Sequence, residues 1–185
     1  INTVLAAPFI ALIPAMVNQV LEAGKGANSV LVVAQGIGAV VAGLVVGSLV
    51  SRWGMRGTMV GAVSAMPIVL VLYGLAPNLA LMATALTFVG GFYMLSLSSF
   101  STIAQTLSPP PQRGRVLSIN NAILGVMYPL GTVIQGWLGD RVGLRQVTVG
   151  AGVTLGAVLV VGRLTRPGFT ASIQPPAARL PVSPA

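Results

Sequence analysis

Apolar side chains fill six long runs of this chain, at about residues 1–21, 29–50, 58–76, 78–104, 116–138 and 147–163. The runs are apolar on every face, with neither the two-residue alternation of a half-buried strand nor the polar stripe of a surface helix. Each approaches the roughly 20 residues an α-helix needs to cross a bilayer core. In lipid the backbone must satisfy its own hydrogen bonds, and a continuous apolar run does that only as a helix. The pattern therefore predicts an all-α membrane protein: six transmembrane helices over residues 1–165, then a tail over 166–185.

The breaks between the runs are short. They fall at 22–28 (EAGKGAN), 52–57 (RWGMRG), Pro77, 106–115 (TLSPPPQRGR) and 139–146 (GDRVGLRQ). Pro109, Pro110 and Pro111 cannot continue a helix. Asn78 is placed to cap the helix that follows it. The tail carries Pro167, Pro175, Pro176, Pro181 and Pro184 and few large apolar residues, which predicts disorder. The chain opens with Ile1 inside an apolar run, with no basic segment before it. That predicts a piece from the middle of a longer protein, without a signal peptide.

Composition narrows the chemistry. Hydrophobic residues make up 55% of the chain and charged residues 6%. That is far below the roughly 25% charge of a soluble domain. There is no Cys and no His, and the only acids are Glu22 and Asp140, both in breaks. Thiolate and imidazole ligands, imidazole bases and paired intramembrane carboxylates are thus lacking, so the expectation is no enzyme, no metal and no cofactor. The net charge of +8 does not point to nucleic acid. Its arginines sit within a few residues of run ends, where positive charge sets topology and meets anionic lipid.

The placement of these charges predicts an orientation. Arg52, Arg56, Arg113, Arg115, Arg163, Arg166 and Arg179 fall on one side; Lys25, Arg141 and Arg145 fall on the other, a split of seven to three. The richer side, with the tail, is expected in the cytoplasm of a cell (inner or plasma) membrane.

The basic break at 139–146 has a counterpart. GSLVSRWGMRGTMVGA (47–62) and GWLGDRVGLRQVTVGA (136–151) share eight of sixteen positions at an offset of 89 residues. Gly47, Arg52, Gly54 and Arg56 match Gly136, Arg141, Gly143 and Arg145. The offset links the ends of the second and fifth runs, so the unit is three spans. An odd-numbered repeat inverts across the membrane, as in secondary transporters; chance likeness of Gly- and Val-rich helix ends is the alternative.

These hairpins, with TLSPPPQRGRVLSINNAILGVMYPLGTVIQGWLGDRVGLR, resemble the carboxy-terminal half of a major facilitator superfamily (MFS) transporter. The look is nearest to the drug- and siderophore-exporting branch. The resemblance covers residues 1 to about 165. It implies alternating-access export of small apolar or amphiphilic molecules, with an amino-terminal six-helix half as partner alongside the lipid bilayer. The family's usual acid before the first loop arginine is Ser51 here, which leaves a charge network at that loop without its carboxylate. The repeat residues Gly47, Arg52, Gly54, Arg56, Asp140, Arg141, Gly143 and Arg145 are candidates for a gating motif, or simply for topological anchors. A six-helix scaffold or lipid-interacting subunit without transport is the alternative function.

Within that frame the fourth run is the richest in ligand chemistry. It holds Phe88, Phe92, Tyr93 and Phe100, four of ten aromatics. Phe88, Phe92, Tyr93 and Ser96, with Asn121 and Tyr128 from the fifth run, form the candidate substrate wall; packing against lipid or helices is the other role open to each. Gln35, Gln105, Asn120, Asn121 and Gln135 are buried amides expected mainly to bond between helices. Gly125, Pro129, Gly131 and Gly136 resemble the antiporter signature of the equivalent family helix. Pro129 is there either a functional bend or an ordinary tolerated proline. Small residues at four-residue spacing (Ala39, Gly43, Gly47; Gly57, Gly61, Ala65; Gly152, Gly156) are expected to mark helix contacts. Asp140 is expected to pair with Arg141 and Arg145.

Overall fold

Backbone hydrogen bonding within apolar segments gives an all-helical protein. The computed structural model describes residues 2–17 and 25–165, among which there is no strand. The helices are α1 (Asn2–Leu5), α2 (Phe9–Met16), α3 (Lys25–Leu75), α4 (Leu79–Leu107), α5 (Arg113–Val142) and α6 (Leu144–Thr165). The end of the first run at 18–21, the start of the first break and the tail expected to be disordered lie outside the described residues.

Among the described residues, four helical stretches are long and apolar enough to cross a membrane: 26–75, 79–107, 110–142 and 144–165. The first spans 50 residues, which at 1.5 Å per residue is about 75 Å of helix, more than twice a bilayer core. It is not straight. Gly54 sits at φ 73°, ψ 163°, outside helical geometry, where a Cβ would be strained. The chain folds back there. Ala42 packs with Ala62, and Leu31 shares a core with Leu70 and Tyr73. α3 is thus two antiparallel arms, 25–53 and 55–75, joined at the Arg-bearing hairpin.

The other boundaries have local causes. Asn78, in extended conformation, accepts the Leu81 amide at 2.9 Å and so caps α4, as its position predicts. Pro110–Gln112 form a single 3-10 turn before α5. Gly143, at φ 94°, ends α5, and its amide bonds the Gly139 carbonyl at 2.9 Å.

Close approach rests on a different glycine set from the one the four-residue spacing suggests. The first arm of α3 meets α4 at Gly38, where a Cβ would fall 1.8 Å from the Thr87 carbonyl oxygen, and at Gly90, where it would fall 2.3 Å from that of Gln35. A Cβ at Gly43, Gly47 or Gly61 would meet nothing within 4 Å. The contact stripe of this arm is therefore Gln35, Gly38 and Ala42, and the expectation for Gly43, Gly47 and Gly61 is corrected. It holds for α6, where Gly152 and Gly156 lie against Val71 and Pro67 of the second arm.

Candidate functional site

The first run was expected to be one helix, and its described part is two. Pro8 has no N–H to give the Val4 carbonyl, and the chain turns through Ala6, Ala7 and Pro8 between α1 and α2. The Phe9 amide reaches back only to Ala6, at 3.3 Å, leaving the Leu5 carbonyl open as well. Gln135 on α5 fills both vacancies. Its side-chain amide donates to the carbonyl oxygens of Val4 at 2.9 Å and Leu5 at 3.0 Å. One turn earlier on α5, Gly131 removes the side chain that would block this approach; a Cβ there would sit 2.6 Å from the Val4 oxygen. Gln135 is thus an interhelical amide, the role expected of such residues in a dry site. α5 otherwise turns little of itself inward, with Gly131, Gln135 and Gly139 its buried residues.

The break fixes where Phe9 points. Phe9 meets Tyr93 of α4 edge to face, with centroids 5.9 Å apart and planes at 85°. This is a favoured quadrupolar geometry. Tyr93 is half-buried, and Tyr128 of α5, also half-buried, lies within electrostatic range of it. Phe9 and Tyr93 therefore meet from two separate stretches of chain, and Tyr128 of α5 stands in the same region. Phe9 escaped the sequence-based candidates; its one signal was its place beside Pro8 as the lone aromatic of its run.

The remaining candidates divide. Phe88 and Phe92 stack, with centroids 6.5 Å apart and planes at 24°. Five residues at 100° each put Phe88 about 140° around α4 from Tyr93. Phe88 is exposed, and Phe92 bridges the two faces. Ser96 is 5% exposed, and its hydroxyl donates to the Phe92 carbonyl at 2.8 Å. Its donor is spent within its own helix, as is common for helical Ser. Asn121 is exposed on the open face of α5, and Asn120 is half-buried. Pro129 is exposed, and α5 continues through it as a helix. The structure also buries the Tyr73 and Ser99 hydroxyls without hydrogen-bond partners; Ser99 continues the helical spacing of Phe88, Phe92 and Ser96, and no spacing singles out Tyr73.

The loop candidates occupy the helix ends. Gly47, Arg52 and Gly54 are exposed on the first hairpin, and Arg56 is half-buried. The Thr58 hydroxyl donates to the Gly54 carbonyl at 3.0 Å and so closes that turn. At the second turn Arg141 lies 4.0 Å over the Trp137 ring. Arg145 donates to the Ala76 carbonyl at 2.6 Å. The expected pairing of Asp140 with both arginines is thus not what forms. A ring face and a helix-end carbonyl take the two cations, and Asp140 is left exposed.

Comparison with known proteins matches this architecture. The family described as Major Facilitator Superfamily matches residues 1–184. The chain is 26% identical over 144 residues to the MFS-type transporter YfmI of Bacillus subtilis (strain 168), covering 76% of this chain and 35% of that protein. It is 29% identical over 90 residues to the multidrug efflux pump Tap of Mycolicibacterium fortuitum, covering 49% of this chain and 22% of that protein. The matched stretch is thus about a third or less of either relative's length. No solved structure matches the chain. A family match over nearly every residue, on a chain of apolar helices joined by arginine-bearing glycine turns, has one reading: this multi-pass membrane protein belongs to the Major Facilitator Superfamily.

Proposed function

We propose that the chain forms one half of a secondary transporter that exports small apolar or amphiphilic organic molecules by alternating access. Each arm of α3 and each of α4, α5 and α6 is a span, and residues 1–21 supply another, as two inverted three-helix repeats. A further six-helix half, outside these residues, provides the opposite wall. The charge split supports a cytoplasmic first hairpin, 106–115 loop and tail, in an inner or plasma membrane.

The observation that carries the reading is the contact of Phe9 with Tyr93, with Tyr128 in the same region. A wall of rings and neutral hydroxyls, with no charge among them, suits a largely apolar ligand that offers one or two hydrogen-bonding groups. The similarity to a pump named for multidrug efflux agrees with that chemistry. Glu22 and Asp140 are the only acids in the chain and both stand between runs. Any proton-coupling carboxylate within the membrane therefore belongs to the other half.

The test is substrate range in the whole protein. Tyr93→Ala should weaken binding of apolar organic substrates about 2- to 12-fold, the equivalent of roughly 0.5–1.5 kcal/mol for one aromatic contact, and should change their ranking. Tyr93→Phe separates ring from hydroxyl. Ser96→Ala, whose hydroxyl is spent on Phe92, should leave both measures unchanged. Unaltered affinity and range in Tyr93→Ala and Tyr128→Ala would place the site elsewhere.

A further inference from the structure

The turn between α1 and α2 is buried, and α5 holds it open. Ala6, Ala7 and Pro8 are sealed within the protein, so no solvent reaches the carbonyls that the turn releases. An unpaired carbonyl in such a place costs more than a made bond gains. Carbonyls only accept, so the Gln135 amide turns its NH2 toward them. One of its hydrogens goes to Val4 at 2.9 Å and the other to Leu5 at 3.0 Å. Gly131 forms the notch beside it: a Cβ there would fall 2.6 Å from the Val4 oxygen and 2.9 Å from the Pro8 ring. α5 therefore grips the chain both before the turn and at it.

The two carbonyls differ in what else could serve them. In an unbroken α-helix Val4 would accept from residue 8 and Leu5 from residue 9. Pro8 has no N–H, so Val4 depends on Gln135 in either form. Leu5 has a rival donor in the Phe9 amide. That amide now reaches Ala6 instead, at 3.3 Å, and this tighter turn sets the direction in which the Phe9 side chain leaves α2. The ring then meets Tyr93 edge to face, at 5.9 Å and 85°. Tyr128, Gly131 and Gln135 stand three and four residues apart, on one face of α5. The helix that carries Tyr128 thus also carries the group that directs Phe9.

We propose that Gln135 is a positioning residue for the substrate wall: from α5, through the Val4 and Leu5 carbonyls, it sets the Phe9 ring on Tyr93 while touching no substrate itself. This rests on the reading of Phe9 and Tyr93 as substrate-facing. A shift of α5 that withdraws Gln135 frees the Leu5 carbonyl to take back the Phe9 amide. Residue 9 then rewinds into the helix, and its ring leaves Tyr93. The wall and α5 therefore change together. The ligands that register the change are those with an aromatic or other flat apolar part to lay against Phe9.

The test has two arms, both on the whole protein in lipid nanodiscs. The first is cross-linking. This chain has no Cys of its own, so a cysteine pair replacing Phe9 and Tyr93, in a background freed of any other Cys, reports their approach to a short bifunctional thiol reagent. Gln135→Leu and Gly131→Ala should each lower the yield several-fold. Gln135→Asn, which keeps the NH2 on a shorter stem, should fall between. Thr132→Val removes a hydroxyl bonded within α5 to the Tyr128 carbonyl at 3.0 Å and should change nothing. The second arm is binding of Nile red, a neutral apolar aromatic dye. Phe9→Leu and Gln135→Leu should each weaken it about 2- to 12-fold, the range of one aromatic contact. The double variant should bind no worse than the weaker single, because both remove the same ring from the wall. Should Gln135→Leu fail to accumulate, Gln135→Asn carries both arms. An unchanged cross-link yield in the Gln135 variants, or losses of dye affinity that multiply in the double variant, overturns the proposal. A yield that falls while Phe9→Leu and Tyr93→Ala leave dye binding intact keeps Gln135 as the group that positions Phe9 and instead overturns the reading of that wall as the substrate site.

Discussion

Gly38→Ala is the sharpest perturbation of the packing described above. A Cβ at residue 38 would lie 1.8 Å from the Thr87 oxygen and 2.7 Å from its carbonyl carbon, both of them helix backbone. Neither can swing aside as a side-chain tip can. Reaching an ordinary contact distance needs the first arm of α3 and α4 to part by on the order of 1.5 Å. An opening of only 0.5–1 Å already forfeits about a quarter to a half of each dispersion contact. Lipid supplies no hydrophobic drive to offset that loss, because tails are as apolar as the helix. Overpacking of this kind costs about 1–3 kcal/mol. The better helix propensity of Ala returns at most about 1 kcal/mol, so Gly38→Ala should be destabilising. Gly43→Ala is the opposite case. It lies on the same arm with nothing within 4 Å, so only the propensity gain remains and the sign should be neutral or stabilising. The assay is chemical unfolding of the purified 185-residue chain in mixed micelles, followed by the fluorescence of Trp53 and Trp137. If Gly38→Ala proved as stable as wild type, or Gly43→Ala as harmful as Gly38→Ala, the assigned contact stripe would be wrong.

Three further outcomes follow from the structure. Gln135→Leu should leave the Val4 and Leu5 carbonyls unpaired in a dry site, at a cost of about 1–3 kcal/mol, and should raise thiol labelling of a cysteine placed at Ala6; equal labelling in both proteins would show that the amide does not hold the break. Asp140→Asn should change stability by less than about 0.5 kcal/mol, the range of ordinary surface substitutions, since neither neighbouring arginine depends on that carboxylate; a larger loss in thermal unfolding would restore the ion pair. Cysteines at Ser51 and Ser108 should resist an impermeant thiol reagent in intact cells while one at Ala27 reacts, and the inverse pattern would reverse the assigned orientation.

The difference between what was legible in the sequence and what was not follows from how far each signal reaches along the chain. Helical class needed only runs of apolar residues, because lipid leaves a chain few alternatives. The breaks at 52–57 and 139–146 and the cap at Asn78 were legible because a reversal or a cap is decided within about four residues. Family membership was legible in the spacing of Gly and Arg at 54–56 and 143–145. Which glycines touch was not. Gly38 and Gly43 are both small residues on one helix, and only the rotation of that helix against α4 separates a backbone contact from open space. The same limit divides the aromatics: Phe88, Phe92 and Tyr93 look equivalent as a cluster, yet the break at Pro8 delivers Phe9 to Tyr93 alone.

Asp140 shows the limit at its shortest range. Two arginines within five residues of one carboxylate suggest an ion pair, but an exposed pair is worth only about 0–1 kcal/mol. The competing partners offer more. Trp137 precedes Arg141 by one helical turn, so its ring face is reached without reordering the chain, and a cation on such a face gains about 0.5–1 kcal/mol at an exposed site. The Ala76 carbonyl lies at the end of a helix whose dipole favours positive charge, and hydrogen bonds to a charged donor contribute roughly 1.5–3 kcal/mol. That acceptor is 69 residues away in the chain from Arg145, out of reach of any local reading of the loop.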